Sequence, residues 1–258
     1  MAVAERSRLK KWIYQTNDPD LLTRYYDRTF ENLTVAEQDC MEKRISSAYN
    51  LDTLVSEIEA RREELLIDMP VFGLRRAGNR TELVGVLSGQ EENIMIPDDS
   101  VATAWQHLFQ SRGVEFSVEE LHGFSGEDYP GFVMRELVER VLPNTEAVSI
   151  RLSAYDNASD EERGELGRTE YEVNRVDMIR QTVRRAVQRW RSPVLLRVGD
   201  TAWTMVGLEG EDLICIEEGF LGIGSWTRGI DPETLIADGA NAFQNIMMIY
   251  LKDRGSAE

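Results

Sequence analysis

The sequence predicts an α+β protein, with a helical region at 1–70 followed at 71–258 by a mixed domain carrying an antiparallel sheet. Three observations carry that expectation. Apolar residues recur at helical spacing through the first 68 or so positions. Residues 170–190 form the clearest amphipathic helix of the chain. Directly after it, Ser192 to Gly219 reads SPVLLRVGDTAWTMVGLEGEDLICIEEG, three short apolar strands separated by turn residues.

Each element has its own signal. Asp18-Pro19 opens a first helix with Leu21, Leu22, Tyr25 and Phe30. Thr34 caps a second containing Val35, Cys40 and Ile45, and Asp52 is expected to open a third through Leu54, Val55, Ile58, Leu65 and Leu66. Met69-Pro70 ends the helical region. Strands at 71–76 and 81–87 flank Ala77-Gly78-Asn79, a hairpin by its turn residues. A short strand at 94–96 precedes a helix at 98–112, which Gly113 stops as a left-handed cap. Ser117 and Glu120 make a capping-box pair for a short helix, and another helix covers 130–142. A strand at 147–154 leads into a polar, acidic stretch at 155–168, expected as a surface loop. The helix at 170–190 places Val173, Val176, Ile179, Val183, Val187 and Trp190 on one face. Strands follow at 193–198, 202–208 and 212–217, then Gly-rich turns at 220–229, a short helix from Asp231-Pro232, and a last strand at 245–251.

Composition narrows the function. Apolar residues at 42% and charged residues at 29% are ordinary for a soluble globular protein. No apolar run approaches the ~20 residues a membrane helix needs, and the charged start MAVAERSRLKKW predicts no secretory signal. Two distant cysteines, Cys40 and Cys215, suit a reducing compartment, so a cytoplasmic location is expected, with non-classical export compatible. A formal charge of −17 disfavours nucleic acid and suits a basic protein or peptide partner. Lysine occurs only at Lys10, Lys11, Lys43 and Lys252, an arginine bias that points to a high-GC bacterial source. Two histidines in unrelated segments provide no metal-ligand set, and the glycines at 219, 222, 224 and 229 form no phosphate cradle, so neither metal nor cofactor is expected.

Two segments together resemble the bacteriocin-processing (C39-like) branch of the papain-like peptidases. The first is Ser100 to Gly113, SVATAWQHLFQSRG, with Ser117-Val118-Glu119-Glu120-Leu121 after it; the second is the helix and Pro193-started strand trio. The resemblance covers roughly 93–220 and implies a papain-like fold. It places Ser100 at the nucleophile position, Thr201 or Ala202 at that of the histidine, Glu217 near that of the orienting acid, and Ile94 where the oxyanion glutamine would stand, with Gln90 out of step. The pattern is therefore degenerate, with no catalytic residues. A serine hydroxyl needs a base within reach. His107 lies seven residues along the same helix, roughly 10 Å at 1.5 Å per residue, and His122 has no evident partner.

The expected function is a non-catalytic adaptor that holds a protein or peptide, with Trp105, Trp203, Phe220 and Trp226 as aromatic candidates for the cleft rim. Ser100, Trp203 and Glu217 are expected to converge in the groove. Two alternatives stay open: a hydrolase or acyltransferase with a rearranged site, in which Cys40 or Ser100 meets His107 or His122, and an effector delivered to another cell. The plainer expectations are that Ser100 serves as a helix-start residue, that Cys40 and Cys215 are buried apolar positions, and that the arginines at 175, 180, 184, 185, 189 and 191 form a solvated face or pair with the acidic loop.

Overall fold

The computed structural model describes residues 16, 18–60, 70–84, 100–125, 130–199, 201–218, 225–237 and 244–255. The chain divides into two compact units, Met1–Arg62 and Glu63–Glu258.

The first unit contains α1 (Pro19–Thr29) and α2 (Val35–Ala60). Asp18 caps α1 by accepting the Leu21 N–H at 2.9 Å. Thr34 and Glu37 close a reciprocal box on α2: the Thr34 N–H donates to Glu37 Oε2 at 2.9 Å and the Glu37 N–H to Thr34 Oγ1 at 3.3 Å. Leu22, Met41 and Ala48 form a small core with Tyr25, Tyr26, Leu33 and Ile45 around it. The expected helix start at Asp52 is absent, and α2 runs straight through it. Buried Met41, Ala48, Leu51 and Val55 keep one helical phase across the site, so continuous burial outweighs the capping preference of a single aspartate. Cys40 is half-buried rather than a core residue.

Among the described residues the second unit holds an antiparallel sheet of eight strands: β1 (Gly73–Ala77), β2 (Arg80–Val84), β3 (Thr145–Leu152), β4 (Val194–Val198), β5 (Thr201–Glu209), β6 (Asp212–Glu218), β7 (Ser225–Ile230) and β8 (Ile246–Asp253). Its helices are α3 (Ser100–Gln110), α4 (Val118–Ser125), α5 (Pro130–Val141), α6 (Asp160–Arg163), α7 (Arg168–Arg185) and α8 (Pro232–Ala237). The longest strand, β5, organises the sheet. One edge carries β6; the other is shared, with β4 along the first half and β2 pairing at Gly207, Leu208 and Glu209. Gly207 makes that junction possible. A Cβ there would sit 2.7 Å from the Glu82 Cα and closer still to the Thr81 carbonyl oxygen.

Period-two alternation separates the faces. Val194, Leu196 and Val198 of β4, with Ile246, Met248 and Tyr250 of β8, pack against Val176, Ile179, Val183 and Val187. After Arg185 the helix widens into a π segment, Ala186–Trp190, and ends at Arg191 in the left-handed conformation (φ 52°). Against the other face lies α3, in contact with β4 and β5 and buried on nearly every side. Phe109 meets Phe116 edge-on at 4.7 Å between ring centroids. Gly113 takes the left-handed cap (φ 74°), and Ser117 and Glu120 make the expected capping box.

Several expectations change. The acidic stretch at 155–168 is partly ordered, since Ser159 and Glu162 cap the one-turn α6. Val173 lies off the α7 stripe and is 54% exposed. Part of the Gly-rich segment is β7, because its backbone pairs with β6 from Glu218↔Ser225 to Leu213↔Ile230. Arg175 is neither solvated nor paired to the loop: it is buried, held by Glu172 at 2.5 Å and by the Gln244 carbonyl at 2.9 Å. Arg180 bridges Asp177, Glu211 and Glu233. The acidic stretch does pair with α7 at Arg168–Asp156. Cys215 is a fully buried core residue. The expected strand at 94–96 lies outside the described residues. Among those described, no helix is long and apolar enough to cross a membrane.

Candidate functional site

The first residue of α3 and the start of β5 come together. Ser100 Oγ accepts the Ala202 backbone N–H at 2.9 Å, across 102 residues of sequence. The segments that carried the resemblance, the start of the central helix and the second strand of the trio, are therefore in direct contact. Ala202 is buried and Thr201 beside it is exposed. The side chains at this junction are thus a half-buried hydroxyl, a methyl and an exposed hydroxyl, none of which takes up a proton near neutrality.

His107 is the residue of α3 with acid–base character, and the fold commits it elsewhere. Its Nδ1 lies 2.9 Å from Thr204 Oγ1, a hydrogen bond between two buried side chains. Burial lowers its pKa from 6.5 to about 4, because the imidazolium would lose its hydration there. The ring is neutral at physiological pH, and seven residues of helix separate it from Ser100. Together the two contacts fasten α3 to β5 at both ends of the helix.

The aromatic candidates divide. Trp105 is corrected from cleft rim to core: it is 1% exposed and packs beside Phe109 with ring centroids 6.1 Å apart. An α3 enclosed on nearly every side leaves no rim position at 105. Trp203 is half-buried and packs against the core on the α7 face, because strand alternation turns it away from Ala202 and Thr204. The expected convergence of Ser100, Trp203 and Glu217 therefore fails at Trp203. Glu217 is a β6 residue paired with Trp226 of β7, one position beyond the Ile216↔Thr204 pair. The side chains of Glu217, Trp226 and His122, and all of Phe220, Gln90 and Ile94, lie outside what is described. Among the described residues no group of three or more His, Cys, Asp or Glu is placed to hold a metal ion.

An open polar depression that sequence reading did not single out lies one strand away. It has a volume of about 400 Å³ and is lined by Asn157, Arg197, Gly199, Gln244, Asn245 and Met247. Arg197 pairs with Ala202 on one side and Met247 on the other. The signal available in the sequence was an arginine inside an otherwise apolar strand, VLLRV.

No protein-family model matches the sequence, and no curated protein matches it. Among solved structures, the crystal structure of UfSP from C. elegans aligns with a TM-score of 0.37 and 12% identity, over 76% of this chain and 37% of that one. The chain thus spans well under half the length of that neighbour. A superposition this loose assigns neither family nor activity.

Proposed function

We propose that this chain is a non-catalytic protein- or peptide-binding adaptor, built on a papain-like scaffold whose catalytic positions have become structural. One observation carries the reading: Ser100, at the nucleophile position, accepts a hydrogen bond from the backbone of Ala202, at the histidine position. The helix and strand that a peptidase of this type would bring together do meet, and none of the described side chains at the meeting point supplies the chemistry needed. A serine hydroxyl attacks a carbonyl only when a base takes its proton. Thr201 and Ala202 offer none, and an imidazole with a pKa near 4, bonded to Thr204, is weakly basic as well as remote. The formal charge of −17 supports a basic partner, drawn in by long-range attraction.

The test is a comparison of wild type with Ser100→Ala against peptide and ester substrates, combined with labelling by serine- and thiol-directed probes before and after denaturation. The expected result is no turnover by either protein and no labelling specific to the native state. Hydrolysis that is present in wild type and lost in Ser100→Ala overturns the reading.

A further inference from the structure

The arginines of α7 and its π segment are unevenly partnered. Residues 168–191 hold seven arginines and three acids, and from Met178 to Arg191 there are five arginines and no acid, in a chain whose formal charge is −17. Four of the seven are engaged within the fold. Arg168 pairs with Asp156, Arg175 with Glu172, and Arg180 with Asp177, Glu211 and Glu233. Arg191 donates to the carbonyls of Val187 and Gln188, which meets orphan acceptors at the end of the helix. Arg184 and Arg185 are exposed, and among the described residues neither has an ion-pair partner.

Helical spacing aligns Met178, Gln181 and Arg185 at i, i+3 and i+7 in one stripe, and all three are exposed. Met178 is 46% exposed, an apolar side chain left in water. It stands ~10 Å from Arg185 along the axis, at 1.5 Å per residue. Arg184 adjoins Arg185, and Arg189, with its Cζ 4.7 Å from the Trp190 ring centroid, follows about one turn later. Like charges one turn apart repel, and an anion brought to this face relieves the repulsion. The opposite face is fixed: Ile179, Val183 and Val187 are fully buried, so the stripe is presented on a rigid element.

We infer that this face docks a short acidic peptide segment, with carboxylates on Arg184 and Arg185 and an apolar side chain on Met178. The planar guanidinium fork matches two carboxylate oxygens, and arginine clusters are a recurrent receptor for acidic motifs. In an extended segment rising ~3.3 Å per residue, ~10 Å separates an apolar residue from an acid three positions on. The charge of the rest of the chain selects the class of partner. A short segment meets the local positive charge, because at 0.15 M salt repulsion from elsewhere is screened within ~8 Å. A nucleic acid or an anionic bilayer extends well past that distance and meets the acidic remainder. The inference rests on α7 and its π segment and does not need the papain-like reading.

The test is an NMR titration of the full chain in 0.15 M salt with the acetylated, amidated peptide GLGGEEEG. Saturable binding is expected, with shifts at the α7 amides and arginine side chains. The peptide GLGGQQQG, which lacks the carboxylates, binds at least tenfold more weakly, and GSGGEEEG, which lacks the apolar anchor, several-fold more weakly. Joint Arg184→Gln and Arg185→Gln substitution weakens GLGGEEEG at least tenfold, and Met178→Ser several-fold. Arg76→Gln, at an exposed position on β1, leaves it unchanged. Far-UV circular dichroism confirms that the variants are folded. No saturable binding, GLGGQQQG as tight as GLGGEEEG, or wild-type affinity in the folded double variant overturns the proposal. An oligonucleotide or phosphatidylserine vesicles that bind more tightly than GLGGEEEG, and are lost in the same double variant, also overturn it by assigning the face to another class of ligand. Ser100 takes no part, so hydrolysis lost in Ser100→Ala would defeat the adaptor reading and leave this one standing.

Discussion

Mild acid reaches the interior of the larger unit through His107. Its imidazole is buried against Thr204 with a pKa near 4, whereas in the unfolded chain it titrates near 6.5. The folded value is the lower one, so between those two pH values the unfolded chain binds more protons. Stability is therefore full above pH 6.5 and falls as the pH drops toward 4. For these two values, the loss between pH 7 and pH 5 is about 2 kcal/mol from this residue alone. The perturbation is His107→Gln, which removes the titrating group and keeps a side chain able to hydrogen-bond the Thr204 hydroxyl. Urea unfolding of both proteins at pH 7 and pH 5 isolates the effect from the carboxylates, which titrate in both. Wild type should lose about 2 kcal/mol more than the variant over that interval, which corresponds to ~4–8 °C in Tm for a unit of this size. Equal pH dependence in the two proteins, or a His107 ring that titrates near 6.5 in the native state by NMR, refutes the reasoning.

Two further outcomes follow from single contacts. Gly207→Ala should destabilise the larger unit by about 2–3 kcal/mol, because the added Cβ meets β2 backbone atoms that have no rotamer to yield. Urea unfolding measures it, faster amide exchange at Thr81 and Leu208 locates it, and wild-type stability in the variant removes the close-approach argument. Ser100→Ala should cost about 1–2 kcal/mol by leaving the Ala202 N–H without its acceptor. Urea unfolding measures that as well, and an unchanged midpoint shows that the contact contributes nothing.

Period and punctuation account for most of what the sequence by itself determined. The caps at Asp18, Thr34 and Ser117, the left-handed Gly78 and Gly113, the two-residue periodicity from 194 to 218 and the stripe from Val176 to Trp190 are local patterns, and local backbone physics acts on them directly. The α+β class followed from these patterns. Tertiary structure decided what depends on residues far apart in the chain. The continuity of α2 through Asp52 was set by buried neighbours on either side. Trp105 became core because helices and sheet enclose α3 all round, and Trp203 turned from the Ser100 junction because β5 pairs on both edges and fixes its alternation. The contact between Ser100 and Ala202 spans 102 residues, and the polar depression one strand away draws its walls from Asn157, Arg197, Gly199, Gln244, Asn245 and Met247. No window of sequence contains such a site, because it is made by strand register, which joins residues across the sheet rather than along the chain.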